Sequence, residues 1–284
     1  MKTNTVYMRF PNGLGKALTL SYDDGVTEDI RLVEILNRHG IKCTFNINSG
    51  QYAEEGALSR PERSWGQRMT RQQVTDLYKN SVHEVALHSA THPYLDKLPS
   101  AQAAYEVLKN RVDLEEQFGG IVRGMAYPYG TYSDELVETL RACGVVYART
   151  VVSTEKFDVP TDWLRMPATC HHVNPRLLEL ADAFLEKEVK PERHPFLFYL
   201  WGHSYEFARD DNWDKIEAFC EKMGDREDIW YATNMEIYNY VEAFRSLIYS
   251  ADMSRVYNPS LETVWFVFNK QEFTLKPGET VELP

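Results

Sequence analysis

The 284-residue chain has no apolar run approaching the ~18 residues that a membrane-spanning helix requires, so no membrane partner is expected. Its first residues, MKTNTVYMRFPNG, lack the apolar stretch of a secretory leader, and the chain as given reads as cytoplasmic. Basic residues are scarce: 31 Lys and Arg stand against 42 Asp and Glu, a formal net charge of −11, with no basic run. Without a cationic excess to neutralise phosphates, nucleic acid is not an expected partner. Only four cysteines occur, Cys43, Cys143, Cys170 and Cys220, far apart and without a CxxC pair. They read as buried or partly buried free thiols in a reducing compartment. Internal repeats and low-complexity linkers are also absent.

What is present is ordinary in bulk, with 43% hydrophobic and 26% charged residues, and the length suits one α/β domain with an appendage. Short β-type runs alternate with helical patterns, which predicts βα units and a mainly parallel sheet or barrel. Ala17 to Tyr22, Lys42 to Ile47, Val82 to Leu87, Val145 to Thr150 and the wholly apolar Phe196 to Trp201 read as strands. Thr27, Thr70 and Ser133 are candidate helix caps. After Ser250 the pattern changes to short strands, Thr263 to Phe268, Glu272 to Leu275 and Thr280 to Leu283, with a Lys276-Pro277-Gly278 turn. This divides the chain into a catalytic domain, 1–250, and a small antiparallel β appendage, 251–284.

Charged and imidazole side chains collect at the C-terminal ends of predicted strands: Asp23-Asp24, His88 and His203. Parallel α/β sheets and barrels build their active sites at that end. His88-Ser89-Ala90-Thr91-His92 spaces two imidazoles to share one face of a helical turn and reach one metal ion. A carboxylate would complete a three-ligand site and leave positions open for water and substrate. Adjacent Asp23 and Asp24 repel unless a cation is near, though a helix N-terminus before Thr27 would also accommodate them. His203 needs a reason to lie at the end of an apolar strand, whether as a hydrogen-bonded core residue or as part of a site. Asp162, in Asp162-Trp163-Leu164-Arg165, could orient a histidine if buried.

Together these segments resemble the polysaccharide deacetylase, or NodB-homology, family, carbohydrate esterase family 4. Ser21-Tyr22-Asp23-Asp24-Gly25 is similar to its T-F-D-D-G strand end, and His88-Ser89-Ala90-Thr91-His92 to its H-S/T-x-x-H. Ala126-Tyr127-Pro128-Tyr129-Gly130 partly matches R-x-P-Y-G, Asp162-Trp163 the family's Asp-Trp segment, and Leu200-Trp201-Gly202-His203 its Leu-x-His with one extra residue. Order and rough spacing agree from about Lys16 to Ser204.

The resemblance implies a distorted (β/α) barrel of about seven parallel strands that binds one divalent metal, Zn²⁺ foremost, with Co²⁺, Ni²⁺ or Mn²⁺ as alternatives. It implies Asp24, His88 and His92 as metal ligands, Asp23 as general base, His203 as general acid and the Tyr129 backbone N–H as an oxyanion donor. The family's third-motif Arg, which steadies the base, is replaced by Ala126. Arg165 is the expected substitute on Asp23, and Asp162 the expected acidic neighbour that keeps His203 charged. Aromatics near the motifs, Tyr94, Tyr127, Tyr129, Tyr132, Trp163, Tyr199, Trp201 and Tyr205, suit a sugar cleft, with Tyr199 and Trp201 expected in the core. The implied activity is hydrolysis of the acetamide of an N-acetylated sugar. A cyclic-amide hydrolase, a glycan O-acetyl esterase and a silent glycan-binding protein are the alternatives.

Overall fold

The structure, a computed structural model, describes residues 4–56 and 65–284. Its centre is the Lys16–Asp23 strand, buried at every position. One edge pairs in parallel with Phe196–Gly202, from Lys16 opposite Phe196 to Tyr22 opposite Gly202. The other edge is divided: Lys16–Leu18 pair with Ile229–Tyr231, and Ser21–Asp23 with Thr44–Asn46. From Thr44–Ile47 the sheet continues through Glu84–Leu87, Gly124–Ala126, Tyr147–Ser153 and Met166–Ala168. Cys170–His171, next along the chain, pairs back onto Phe196–Gly202. Thr169, between the two pieces, donates its N–H to Tyr199 O at 2.8 Å. The 166–171 segment therefore closes the sheet into a barrel of seven parallel strands, distorted where Ile229–Tyr231 inserts.

Alternation along the strands separates two cores. Ala17, Tyr147, Leu197, Tyr199 and Trp201 pack with Ile237, Tyr240 and Val241 of the Asn234–Arg245 helix. Their chain neighbours Leu18, Ala148, Phe198 and Leu200 pack outward against helices Asp29–Arg38, Leu177–Leu185 and Trp213–Met223. Inward-facing positions towards the strand C-termini are polar, and these carry the site. The four cysteines are free and buried, and Tyr199 and Trp201 lie in the core, as expected.

Thr70 and Ser133 cap their helices, accepting from Gln73 N at 3.2 Å and Leu136 N at 3.1 Å. Thr27 does not: the helix starts at Asp29, and the Thr27 hydroxyl donates to Glu28 at 3.2 Å. Its backbone N–H is drawn aside to Gln67 O at 2.8 Å. The C-terminal strands are antiparallel. Val264–Phe268 pairs with Gln271–Leu275 and also with Val6–Arg9 from the other end of the chain. Thr280–Glu282 joins Arg255–Tyr257, which pairs with Ile248–Tyr249. Among the described residues, no helix is long and apolar enough to cross a membrane.

Candidate active site

Asp23 ends the central strand, and the chain then turns through Asp24 at φ 90° and Gly25 at φ 64°. A left-handed aspartate costs on the order of 1 kcal/mol and persists only where its surroundings hold it. Here Asp24 N donates to Asn46 O at 3.0 Å. The Arg68 guanidinium reaches the Asp24 carbonyl, Asp24 Oδ1 at 3.0 Å, Asn48 Oδ1 at 3.2 Å and Gln51 Oε1 at 2.8 Å. The turn lets two adjacent carboxylates face one space, which an extended strand would forbid.

His88 follows the Glu84–Leu87 strand, but the His88–His92 segment is not a helical turn. Ser89 and His92 both take left-handed backbone, at φ 61° and 60°. The loop is pinned instead by Ala90 N to Glu106 O at 3.1 Å, Thr91 N to Glu106 Oε2 at 2.8 Å and His92 N to Ser89 Oγ at 3.1 Å. It brings the two Nε2 atoms to 3.1 Å. His88 Nδ1 meets the Ala126 carbonyl at 2.8 Å, which places the ring proton on Nδ1 and leaves the Nε2 lone pair facing the site.

The three donors fit a small divalent ion. Asp24 Oδ1 lies 4.0 Å from His88 Nε2 and 3.8 Å from His92 Nε2. A tetrahedral ion with bonds of about 2.1 Å needs donors roughly 3.4 Å apart, so only small shifts separate this triangle from a coordination face. Burial, helped at His92 by the neighbouring His88, keeps both imidazoles neutral, with His92 lowered to about 4. Burial alone would raise the Asp24 carboxyl, but Arg68 and the nearby imidazoles hold it below its ordinary value. Neutral imidazoles and an ionised carboxylate are the protonation states a metal demands.

Asp23 is 3% exposed and faces the same space. Burial would raise its carboxyl, but Arg149, with His88 and His203, brings it down to about 2. Arg149 Nη2 bonds Asp23 Oδ2, and Asn46 Nδ2 donates to Asp23 Oδ1 at 2.8 Å. The expectation that Arg165 fills this role is corrected. Arg165 bonds Asp162 Oδ2 at 2.8 Å and Asp134 Oδ1 at 2.6 Å on the outer surface. Arg149 stands opposite Ala126 in the strand register, so the charge missing from one strand is supplied by the next.

His203 Nε2 lies 3.8 Å from Asp23 Oδ2 and 4.0 Å from Asp24 Oδ2. The expectation that Asp162 flanks His203 is also corrected: Asp162 caps Leu164 N at 3.2 Å and pairs with Arg165. The carboxylate beside His203 is Glu206, whose Oε2 is 3.4 Å from His203 Nδ1. Burial would lower the His203 imidazole, but Glu206, Asp23 and Asp24 together raise it.

Tyr129 occupies the Pro128–Gly130 turn at φ 58°, with its ring edge-on to His92 at 4.5 Å and stacked on Tyr94 at 3.8 Å. Across the site, Trp65 stacks on Tyr205 at 5.6 Å. These two rings, with Asp24, Arg68 and Arg209, line a cavity of about 300 Å³. A larger cavity, about 900 Å³, opens beside Tyr7, Met8, Phe196 and Phe244 and holds none of the motif residues.

Sequence reading missed Arg68, Arg149 and Glu206. Arg149 carried a signal, a lone cation within a strand segment otherwise rich in apolar residues. Arg68 and Glu206 carried none, because their roles arise from a loop and a short helix that pack against the strand ends.

A family model described as Polysaccharide deacetylase matches residues 5–148, 144 of the 284 residues, and the chain belongs to that family. It is 24% identical over 127 residues to the peptidoglycan-N-acetylglucosamine deacetylase PgdA of Listeria monocytogenes serotype 1/2a (strain EGD / Mackaness), a match covering 44% of this chain and 24% of that protein. It is 26% identical over 155 residues to the chitooligosaccharide deacetylase of Bradyrhizobium sp. (strain ANU 289), covering 53% of this chain and 60% of that one. The matches thus span from about a quarter to about three fifths of those relatives' lengths. Among solved structures, the fold is similar to a putative polysaccharide deacetylase from Mycobacterium smegmatis, with a TM-score of 0.58, 15% identity and coverage of 86% of this chain and 96% of that one. The Bc1960 peptidoglycan N-acetylglucosamine deacetylase superposes with a TM-score of 0.51 and 15% identity, over 81% of this chain and 91% of that one.

Proposed function

We propose that the protein is a metal-dependent deacetylase that hydrolyses the acetamide of an N-acetylated amino sugar or oligosaccharide. The observation that carries this reading is the convergence of Asp24, His88 and His92 into one donor triangle, with Asp23 and His203 within about 4 Å of it. Two imidazoles and a carboxylate suit Zn²⁺, with Co²⁺, Ni²⁺ or Mn²⁺ as alternatives. Bound there, the ion would polarise the acetyl carbonyl and acidify a water molecule.

The protein's own groups divide the remaining work. Asp23, kept ionised by Arg149, accepts a proton from the attacking water. His203 delivers a proton from Nε2 to the nitrogen as the C–N bond breaks, because an amine leaves poorly as an anion. The Tyr129 backbone N–H steadies the carbonyl oxygen as it gains charge. Water and acetamide become acetic acid and free amine, and the proton gained by Asp23 balances the one given up by His203. The Trp65–Tyr205 and Tyr94–Tyr129 ring pairs offer apolar faces to a sugar on either side of the scissile bond.

Acetate release from chitooligosaccharides, acetylated xylan and cyclic ureides, with each of the four metals supplied, tests the reading. Release from the N-acetylated sugars is expected. Turnover confined to the xylan esters or to the ureides would replace the proposal with one of those activities.

A further inference from the structure

A general acid must present an N–H to the leaving group, so His203 has to act as the imidazolium, and something has to fix which of its two N–H groups is held and which faces out. Around His203 the deciding groups form a cluster outside the five matched segments. Glu206 Oε2 is hydrogen-bonded with His203 Nδ1 at 3.4 Å. The same oxygen lies 3.2 Å from His171 Nε2 and 3.3 Å from His172 Nε2. His171 ends the strand that closes the barrel, His172 follows it, and Glu206 sits one turn beyond His203, so the cluster exists only once the barrel closes.

His171, His203 and Glu206 at this spacing would also be a donor set for a second metal ion. His171 argues against that use. Its Nδ1 accepts the Val173 N–H at 3.1 Å, so the neutral ring carries its proton on Nε2, facing Glu206 with a donor and no lone pair. His172 is 1% exposed and stacks with Phe207 at 4.1 Å and with Tyr22 at 5.6 Å. Among the described residues its buried Nδ1 has no hydrogen-bond partner. A proton on Nε2 leaves only an acceptor unpaired there, which is easier to tolerate than an orphaned N–H. Three imidazoles thus aim donors at one carboxylate oxygen. Ser204, next to His203, is tied down independently by its hydroxyl, which donates to buried Asp29 Oδ1 at 2.5 Å.

We propose that Glu206 is the positioning residue for His203: gripped by His171 and His172, it accepts the Nδ1–H of the His203 imidazolium, so that the Nε2–H is the proton handed to the departing amine and the Nδ1–H is the one retained. The proposal rests on the deacetylase reading for its chemistry, but the tautomers it assigns do not depend on turnover. It predicts that loss of Glu206 is felt according to how badly the leaving group needs a proton.

The test uses the full chain loaded with zinc. Glu206→Gln should lower kcat on an N-acetylated chitooligosaccharide about 10²-fold while leaving hydrolysis of 4-nitrophenyl acetate nearly unchanged, since nitrophenolate departs unprotonated. Glu206→Asp should recover part of the loss. Equal losses on both substrates, or no loss on the amide, would overturn the proposal. Long-range proton–nitrogen NMR of histidine-labelled protein gives the independent readout, with His203 protonated at Nδ1 and His171 at Nε2. A proton on His171 Nδ1, or His171 signals that move with a second equivalent of zinc, would overturn it too. If the unaltered protein released no acetate from any amide, the deacetylase reading alone would fall, and these tautomers would still decide the role of Glu206.

Discussion

The proposed metal side of the site draws Asp24, His88 and His92 from the ends of two strands and the short loops that follow them. The proposed proton-handling side draws Asp23, Arg149, His203 and Glu206 from three strands and a helix spread over more than half the chain. On the metal side each ligand is next to, or four residues from, another motif residue. On the proton-handling side the partners Asp23 and Arg149 are 126 residues apart and meet only across the barrel interior. The difference follows from chemistry. Coordination needs particular donor atoms in a tight triangle, which one loop can nearly supply. Setting a carboxylate's or an imidazole's charge needs only a buried opposite charge, which any inward-facing strand position can provide.

Breaking the metal side should have the largest effect. His88→Ala is expected to abolish stoichiometric zinc, read by elemental analysis, and to cost at least about 10³ in kcat, because the donor triangle loses a corner. Full metal retention would separate these residues from any ion. Asp23→Asn attacks the other side: kcat should fall on the order of 10²–10⁴ with metal content intact. Loss of metal in that variant would erase the division between the two sides.

Arg149→Met sharpens the comparison by stability. It leaves the Asp23 carboxylate buried without its cation, and breaking a buried pair in this way costs about 3–5 kcal/mol in denaturant unfolding. A loss under about 1 kcal/mol would show that water or another cation compensates.

Asp29, fully buried behind the proton-handling side, tests the same physics in reverse. Burial raises its carboxyl to about 7, against the downward pull of hydrogen bonds from Ser204 and Tyr78. The unfolded value is about 3.9, so the folded chain binds the proton more tightly. The stability this group contributes is complete below about pH 4 and is lost as pH rises through 7, on the order of 4 kcal/mol in all. Asp29→Asn should flatten the chelator-treated protein's stability between pH 5 and 8. An unchanged slope would mean the carboxyl is already ionised at pH 5. The smallest effect is expected from Arg165→Ala, whose ion pairs with Asp134 and Asp162 are solvent-exposed: unfolding midpoint and activity should both stay put. A fall in activity would revive Arg165 as part of the site.

The same divide governs what could be read in advance. The parallel barrel, the Thr70 and Ser133 caps, the buried thiols and the convergence of Asp24, His88 and His92 were legible. The barrel's βα units, the caps and the thiols rest on local periodicity, capping chemistry and composition; the convergence rests on the His88/His92 spacing together with the resemblance of Ser21–Gly25 to the family's strand end. The helical turn expected for His88–His92 was not found, because hydrogen bonds from Glu106 and Ser89 fold that segment as a left-handed loop. Arg165 and Asp162 looked suitable because they lie in a matched segment. The structure turns them towards each other and the solvent, where a pair of opposite charges needs no desolvation.

By itself, the sequence determined the longer core strands and the charged and imidazole side chains at their ends, because strand period and strand-end turns are properties of neighbouring residues; short strands such as Gly124–Ala126, Met166–Ala168 and Ile229–Tyr231 carried too few residues to show a period. Only the tertiary structure decided that Val6–Arg9 pairs with Val264–Phe268, that residues 166–171 close the barrel, and that Arg149 meets Asp23 and Glu206 meets His203. Burial makes these charges matter, and burial exists only after the barrel has closed around them.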